Sequence, residues 1–204
     1  MTARWKQGAQ RILGAVTRVA VMSAVTLCCA GAAHAANVCD PKAYGAKADG
    51  KTKNTQALQR AIDACEAKGG GIVRLTGGTF LTGPIVLRSH ITLEAGKGAT
   101  LLGSQDVSDY PQAEELRQES VQPLIGAKNA NYITIRGGGT IDGAGQPWWA
   151  AAYLHKKFRA AKRPRLILFD HCKHVLIENM TIKNSASWQV VLYYCEDVTI
   201  RNSR

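Results

Sequence analysis

Two carboxyl groups at a controlled separation, one protonated and one ionised, can do general acid–base chemistry. Beyond residue 35 the acids are Asp40, Asp49, Asp63, Asp106, Asp109, Asp142, Asp170 and Asp197, with seven glutamates. No two are spaced so as to demand a shared cleft. Asp142, in Ile141-Asp142-Gly143, has the setting of a turn former and is also a candidate substrate contact. His171 and His174 stand either side of Cys172. A strand or turn does not make them converge, and no Cys-x-x-Cys accompanies them, so no metal site and no cofactor is assigned. Trp148 and Trp149 precede Lys156, Lys157, Arg159, Lys162, Arg163 and Arg165. Aromatic rings pack on sugar faces and cations pair with carboxylates, which together suit an acidic polysaccharide. Read more plainly, the stretch is a loop or short helix whose tryptophans pack on the wall of the fold. Trp148, Trp149, Lys156 and Asp142 are the candidate substrate contacts; no residue is assigned as catalytic.

The chain that must position these groups has 204 residues, 46% hydrophobic and 20% charged. That composition excludes a collagen, a coiled coil or a wholly disordered tail, and the length supports one domain with a sizeable core. Lys and Arg number 26 against 15 acids, a net charge of +11, which favours an acidic partner. Residues 1–18 carry Arg4, Lys6, Arg11 and Arg18 and no acid; an apolar run over 19–30 follows, then Ala33-His34-Ala35. Basic, apolar, small is the order of a secretory signal peptide, here residues 1–35. Arg18 interrupts the stretch before it reaches the roughly 20 apolar residues of a membrane span, and Leu27 before Cys28 makes a poor lipidation site. The expectation is a secreted protein, residues 36–204, without lasting membrane association. Export makes nucleic acid a poor partner despite the charge. It also permits disulfides among Cys39, Cys65, Cys172 and Cys195.

The mature chain repeats. Ile72-Val73-Arg74-Leu75, Ile91-Thr92-Leu93-Glu94, Ile133-Thr134-Ile135-Arg136, Val175-Leu176-Ile177-Glu178 and Val198-Thr199-Ile200-Arg201 read as strands with one face inward. No helical pattern separates the later ones. Leu75 to Leu93 is 18 residues, Ile177 to Ile200 is 23, and the two intervening steps are 42 each, room for two coils or one coil plus a loop. Repeats of this length point to a solenoid, and short strands with Gly and Asn turns to a parallel β-helix. A 23-residue register lays Asn179 over Asn202, Cys172 over Cys195 and Glu178 beside Arg201. Stacked Asn side chains can form ladders, and an exposed ion pair contributes only ~0.2–1 kcal/mol, enough to help set register.

A solenoid must cover its ends. Asn54 or Thr55 can cap a helix whose Ala57, Leu58, Ala61, Ile62 and Cys65 share a face, stopped by Gly69-Gly70-Gly71. Cys39 and Cys65 can tie the leading strand to this helix, a bridge worth roughly 3–4 kcal/mol on loop entropy; the alternative is two packed thiols. Cys172 and Cys195 lie within reach on adjacent rungs, but parallel side chains rarely have the required torsion, so a bridge and two buried thiols both remain open.

Four ordered blocks resemble the polygalacturonases of glycoside hydrolase family 28. They are DPKAYGAKADGKTKNTQALQRAIDAC (residues 40–65), GGGIVRLTGGTFLTGPIVLRSHITLEAGKGATLLGSQDVSDY (69–110), GGGTIDGAGQPWW (137–149) and RPRLILFDHCKHVLIENMTIKNSASWQV (163–190). Ala186 stands where the family commonly has proline. The resemblance implies an all-β, right-handed parallel β-helix with a short N-terminal capping helix, and a secreted hydrolase cleaving α-1,4-galacturonosyl bonds of pectin with inversion. Its partner would be polygalacturonate, and the complete solenoid would be a monomer. The family draws its acids from an Asn-Thr-Asp segment and an Asp-Asp pair, supported by Gly-His-Gly and Arg-Ile-Lys. None of the four occurs in this sequence. The chain is therefore expected to be the N-terminal portion of such a domain, truncated at its C-terminal end, inactive and prone to aggregate. A non-catalytic acidic-glycan-binding β-helix, such as an adhesin or tailspike module, and a polysaccharide lyase are the alternatives.

Overall fold

Strands that alternate apolar and polar residues bury one row of side chains each, and short ones close a core only by stacking on copies of themselves. The computed structural model describes residues 37–115, 118–154 and 162–204; the leader read at residues 1–35 lies outside them. In chain order the elements are β1 (Val38–Cys39), a 3-10 turn (Pro41–Tyr44), β2 (Asp49–Lys53), α1 (Thr55–Glu66), β3 (Gly71–Leu75), β4 (Gly78–Thr82) and β5 (Ile85–Val86). Then come β6 (Ile91–Ala95), β7 (Ala99–Gly103), β8 (Gln112–Glu115), β9 (Gln118–Val121), β10 (Ile125–Lys128), β11 (Asn131–Arg136) and β12 (Thr140–Asp142). The last are α2 (Gln146–Leu154), β13 (Ile167–Asp170), β14 (Lys173–Glu178), β15 (Thr181–Lys183), β16 (Val190–Tyr193) and β17 (Glu196–Arg201).

Three parallel sheets form the wall. Sheet A is β1-β3-β6-β11-β14-β17, sheet B is β15-β12-β7-β4-β2 and sheet C is β16-β13-β10-β5. Each rung runs A, B, C and climbs to the next A strand, a right-handed parallel β-helix. All five strands read from the sequence fall in sheet A. Leu93, Ile135, Ile177 and Ile200 pair in direct succession, so each 42-residue step is one rung plus an insertion. Both insertions leave after a B strand and return at a C strand. The first alignment needs correction: Val73, not Leu75, pairs with Leu93, giving a 20-residue rung. A shift of two keeps the same face inward, so side-chain pattern alone does not distinguish the two registers. A second correction concerns α2, a helix between β12 and β13. Its alanine-rich, nearly all-apolar sequence favours helix without displaying an amphipathic stripe.

Outside sheet A, Arg74, Glu94, Arg136, Glu178 and Arg201 occupy one register row of alternating charge. Arg74 Nε lies 2.6 Å and Arg136 Nη2 3.1 Å from the Glu94 carboxylate, and Arg201 Nη2 is 2.8 Å from Glu178. Burial works to raise the Glu94 carboxyl, but the two guanidinium groups outweigh it and hold the group below its ordinary range. Asn179 and Asn202 follow the paired Glu178 and Arg201 at equivalent corners, with φ of 56° and 51°. Their service is to the backbone: each bends the corner through the left-handed region that Asn tolerates.

The corner from sheet C to sheet A holds, beside Asn129 and Asp197, histidines and tyrosines that turn rules do not favour. His90, Tyr132, His174 and Asp197 have φ of 61°, 58°, 54° and 53°, and Asn129, His171 and Tyr194 have 53°, 52° and 50°. A left-handed residue costs about 1–2 kcal/mol. Ring stacking offsets part of it: Tyr132 stacks on His90 at 5.0 Å and on His174 at 4.4 Å, and His171 lies 4.8 Å from Tyr194.

The N-terminal end is covered by α1, whose Ala57, Leu58, Ala61, Ile62 and Cys65 are buried. A disulfide joins Cys39 to Cys65. Asn54 is the N-cap by position, but its side chain makes no capping hydrogen bond. It is buried and braces the preceding loop instead. After the helix Gly69, Gly70 and Gly71 take φ of 83°, 116° and 156°, and a Cβ at Gly70 would meet His90 at 2.5 Å. Cys172 and Cys195 are free thiols. Cys172 donates to the Asp170 carbonyl at 3.5 Å and Cys195 to the Tyr193 carbonyl at 3.4 Å. Burial pushes the Cys172 thiol above its ordinary range.

Candidate functional site

The rungs spend their inward residues on the core, so chemistry on a β-helix is left to the outward faces of its strands and to segments that project beyond the wall. Here the projections are the insertions, residues 104–124 and 143–166. In the first, β8 and β9 pair antiparallel as a hairpin. The second carries α2. Lys53 holds the base of the first insertion, 3.2 Å from Asp106 and 2.8 Å from Asp109. The Ser104 hydroxyl donates to Asp109, and the Tyr110 hydroxyl donates to the Ser104 carbonyl at 2.8 Å. Burial, helped by the Asp109 charge, pushes the Tyr110 phenol well above its ordinary range.

The insertions pack on one another. Trp148 meets Tyr110 edge-on, with centroids 5.8 Å apart. Gln105 Nε2 donates to the Ala144 carbonyl at 3.2 Å. Lys162 Nζ reaches Glu119 at 2.7 Å and Gln112 at 2.8 Å. These contacts join the two insertions, each of which leads into a sheet C strand. Between sheet B and the starts of the insertions lies a cleft of about 450 Å³, lined by Leu102, Ser104, Gln105, Asp142, Ala144 and Gln146 among others.

Asp142 closes β12 and opens the second insertion. Its Oδ1 accepts from the Ala144 N–H at 2.9 Å and from Asn184 Nδ2 at 3.0 Å, and Lys183 Nζ is 3.4 Å from Oδ2. It does line the cleft, with its oxygens already facing two hydrogen-bond donors and a lysine, which is the arrangement of a corner brace. Trp148 is 5% exposed and belongs to the core. Its face is spent on packing, which corrects its assignment as an open sugar platform. Trp149 is half-buried, and its indole N–H donates to the Ser185 carbonyl at 2.8 Å; it too anchors the helix. Lys156, with Lys157 and Arg159, lies outside the described residues.

Among the described residues the tryptophan that faces solvent is Trp188, 67% exposed. It ends the Ser185-Ala186-Ser187-Trp188 corner, which the second insertion clamps. Besides Trp149, Arg163 Nη1 donates to the Ala186 carbonyl at 3.3 Å and Arg165 Nη1 to Ser187 Oγ at 3.2 Å. The sequence offered Trp188 only as part of a family block. Its register with Arg165, set by the Leu166 N–H donating to the Trp188 carbonyl, depends on the rung.

The remaining acids nearby are committed. Asp170 lies 3.3 Å from Lys128 and 2.6 Å from His171 Nδ1. His174 Nδ1 lies 2.6 Å from Asp197. The two histidines thus face different carboxylates, and among the described residues no three His, Cys, Asp or Glu groups converge as metal ligands. On the first insertion Glu114 stands opposite Glu119, and Glu119 is paired with Lys162 of the second.

A family model for glycosyl hydrolases family 28 matches residues 65–204. A Dickeya chrysanthemi exo-poly-alpha-D-galacturonosidase is 43% identical over 142 residues, covering 64% of this chain and 23% of that protein. A Vitis vinifera protein named "Probable polygalacturonase" is 33% identical over 186 residues, covering 83% of this chain and 36% of that protein. Among solved structures, the family 28 exopolygalacturonase of Yersinia enterocolitica superposes with a TM-score of 0.74 at 26% identity, over 82% of this chain and 38% of that one. The chain therefore spans between about a quarter and two fifths of these relatives' lengths.

Proposed function

The chain belongs to glycosyl hydrolases family 28, and from that premise we propose that its rungs serve a secreted, pectin-degrading hydrolase of polygalacturonase type. The reaction would be hydrolysis of α-1,4-galacturonosyl bonds with inversion, and the substrate polygalacturonate. The observation that carries this is the coincidence of the family match, residues 65–204, with the continuous rungs from β3 to β17. Export is supported by the basic, apolar, small order of residues 1–35 and by the Cys39–Cys65 disulfide, a bond of oxidising compartments. Inversion requires two carboxyl groups about 6.5–9.5 Å apart to admit a water. The 204 residues contain none of the Asn-Thr-Asp, Asp-Asp, Gly-His-Gly or Arg-Ile-Lys segments, so by themselves they are proposed to turn over nothing.

Reducing-end release from polygalacturonate tests both parts. Purified residues 36–204 should release none, and release would overturn the claim of inactivity. A chimera in which Arg204 leads into the remaining coils of the Dickeya chrysanthemi relative should release saturated products with inverted anomeric configuration. Calcium-dependent unsaturated products would instead assign a lyase.

A further inference from the structure

Thiols one rung apart become a redox pair when backbone spacing, sulfur placement and compartment all allow a bond. Lys173 pairs with Glu196 across the parallel strands β14 and β17, which puts Cys172 beside Cys195, and the Glu196 N–H donates to the Cys172 carbonyl at 3.0 Å. Adjacent strands run ~4.8 Å apart, inside the Cα separation of about 4.4–6.8 Å that a disulfide spans. The two sulfurs are gathered against one strand end. Cys172 Sγ donates to the Asp170 carbonyl and Cys195 Sγ to the Phe169 carbonyl, each at 3.5 Å, and these are consecutive carbonyls of β13. Burial and, after it, the nearby Cys195 act to raise the Cys172 thiol, so Cys172 lies within the field of Cys195. The Cys39–Cys65 bond is of the kind that persists in oxidising compartments. We propose that Cys172 and Cys195 are the reduced half of a reversible rung-to-rung disulfide, a redox-sensitive staple joining the corners that open β14 and β17.

Closing the bond needs a rotation. Both side chains leave the same register position, and each sulfur is held by a carbonyl, so one must let go before they meet. Cys195 is the freer partner. It is half-buried where Cys172 is buried, and its thiol is shared between the Phe169 and Tyr193 carbonyls at 3.5 and 3.4 Å. That lost hydrogen bonding separates the pair from Cys39–Cys65, which is closed in the same structure, and makes the bond one that redox poise opens and closes. The oxidant is a low-molecular-weight disulfide such as oxidised glutathione. The Cys195 thiolate attacks one of its sulfurs, which releases one small thiol and leaves a mixed disulfide on Cys195. The Cys172 sulfur then attacks Cys195 Sγ and expels the second small thiol. Two protein thiols are oxidised, one small disulfide is reduced to two thiols, and the two protons leave with them.

The test is equilibration of the folded 204-residue chain in glutathione buffers of stepped redox poise, then acid quenching, alkylation and peptide mapping by mass spectrometry. In the more reducing buffers Cys172 and Cys195 should both be alkylated, with Cys39–Cys65 closed. In the more oxidising ones a peptide pair linked through Cys172 and Cys195 should replace them, and transfer back should restore both thiols. Amide exchange across residues 196–201 should slow about tenfold or more in the linked form. Cys172→Ser should abolish the link and the slowing, and leave glutathione on Cys195. Cys195→Ser, at the half-buried position, should also abolish both, and it keeps the comparison available where Cys172→Ser does not fold. A folded parent that retains both thiols in the most oxidising buffer would overturn the pair. So would glutathione that stays on Cys195 of the parent, or a bond between two copies. A link that leaves exchange in β17 unchanged would overturn the staple. None of these readouts depends on the hydrolase function proposed above, which the reducing-end assay of the chimera tests separately.

Discussion

Asn54 accepts from the Lys47 N–H at 2.7 Å and donates to the carbonyls of Lys47 and Thr52 at 2.9 and 2.8 Å. It is 1% exposed, so removing it leaves buried backbone groups without partners, at about 1–3 kcal/mol each. Asn54→Ala should lower stability by about 2–4 kcal/mol in urea unfolding; a loss well below 1 kcal/mol would show that the loop closes without it. Asp49 behaves differently because it is exposed. Hydrogen bonds from the Thr52 and Lys51 N–H groups hold its carboxyl down to about 2. Glu94, Asp106 and Glu119 are also lowered. Groups depressed on folding contribute stability above their unfolded values, about 3.9 for Asp and 4.3 for Glu, and lose it as pH falls through the folded values. Stability should therefore decline from about pH 4 towards pH 2. Asp49→Asn should be the less stable protein at neutral pH and converge with the parent near pH 2, the folded-state value of Asp49. Denaturant midpoints across that range would reveal parallel curves if the Asx turn contributes nothing.

At the scale of elements, α2 and the β8–β9 hairpin support each other. Each is weak by itself: a two-stranded hairpin is marginal in water, and Glu114 faces Glu119 directly across it, a like-charge pairing that destabilises. Lys162 at 2.7 Å from Glu119 relieves that charge from the other insertion. Trp148 against Tyr110 supplies the shared apolar contact. Trp148→Ala should cost about 3–5 kcal/mol, as truncation of a buried aromatic does, and Trp148→Phe less than half of that. Amide exchange should quicken in residues 112–115 and 118–121 as well as in α2. Faster exchange in α2 alone would mean that the hairpin stands independently.

For the whole molecule, the same register position is dry in Ile135 and Ile177, at 0% exposure, and 48% exposed in Ile200. Val198 and Leu192 are also only partly covered. An apolar rung with an open strand edge invites pairing between copies. The 204-residue chain should sediment as concentration-dependent oligomers, and Ile200→Thr, which keeps β-propensity while removing apolar surface, should shift it towards monomer. A parent that stays monomeric throughout would refute this use of the edge.

Four of the six strands of sheet A, β6, β11, β14 and β17, were legible in the sequence because they repeat one short pattern, apolar, any, apolar, charged, and a period of two can be read without knowing any neighbour. The capping helix was legible for a similar reason, its apolar face returning at helical spacing from Ala57 to Cys65. Sheet C was not: Ile85–Val86 and Ile125–Lys128 are too short or too uniformly buried to alternate. Nor were the corners at His90, Tyr132 and His174, where a left-handed backbone is supported by rings from neighbouring rungs. Which tryptophan would be buried was decided by Tyr110 and Ser185, and which would be open by the corner of β16. Local pattern carries what a residue does with its own backbone; what its ring or charge faces depends on partners a rung away, and only the winding of the chain brings those together.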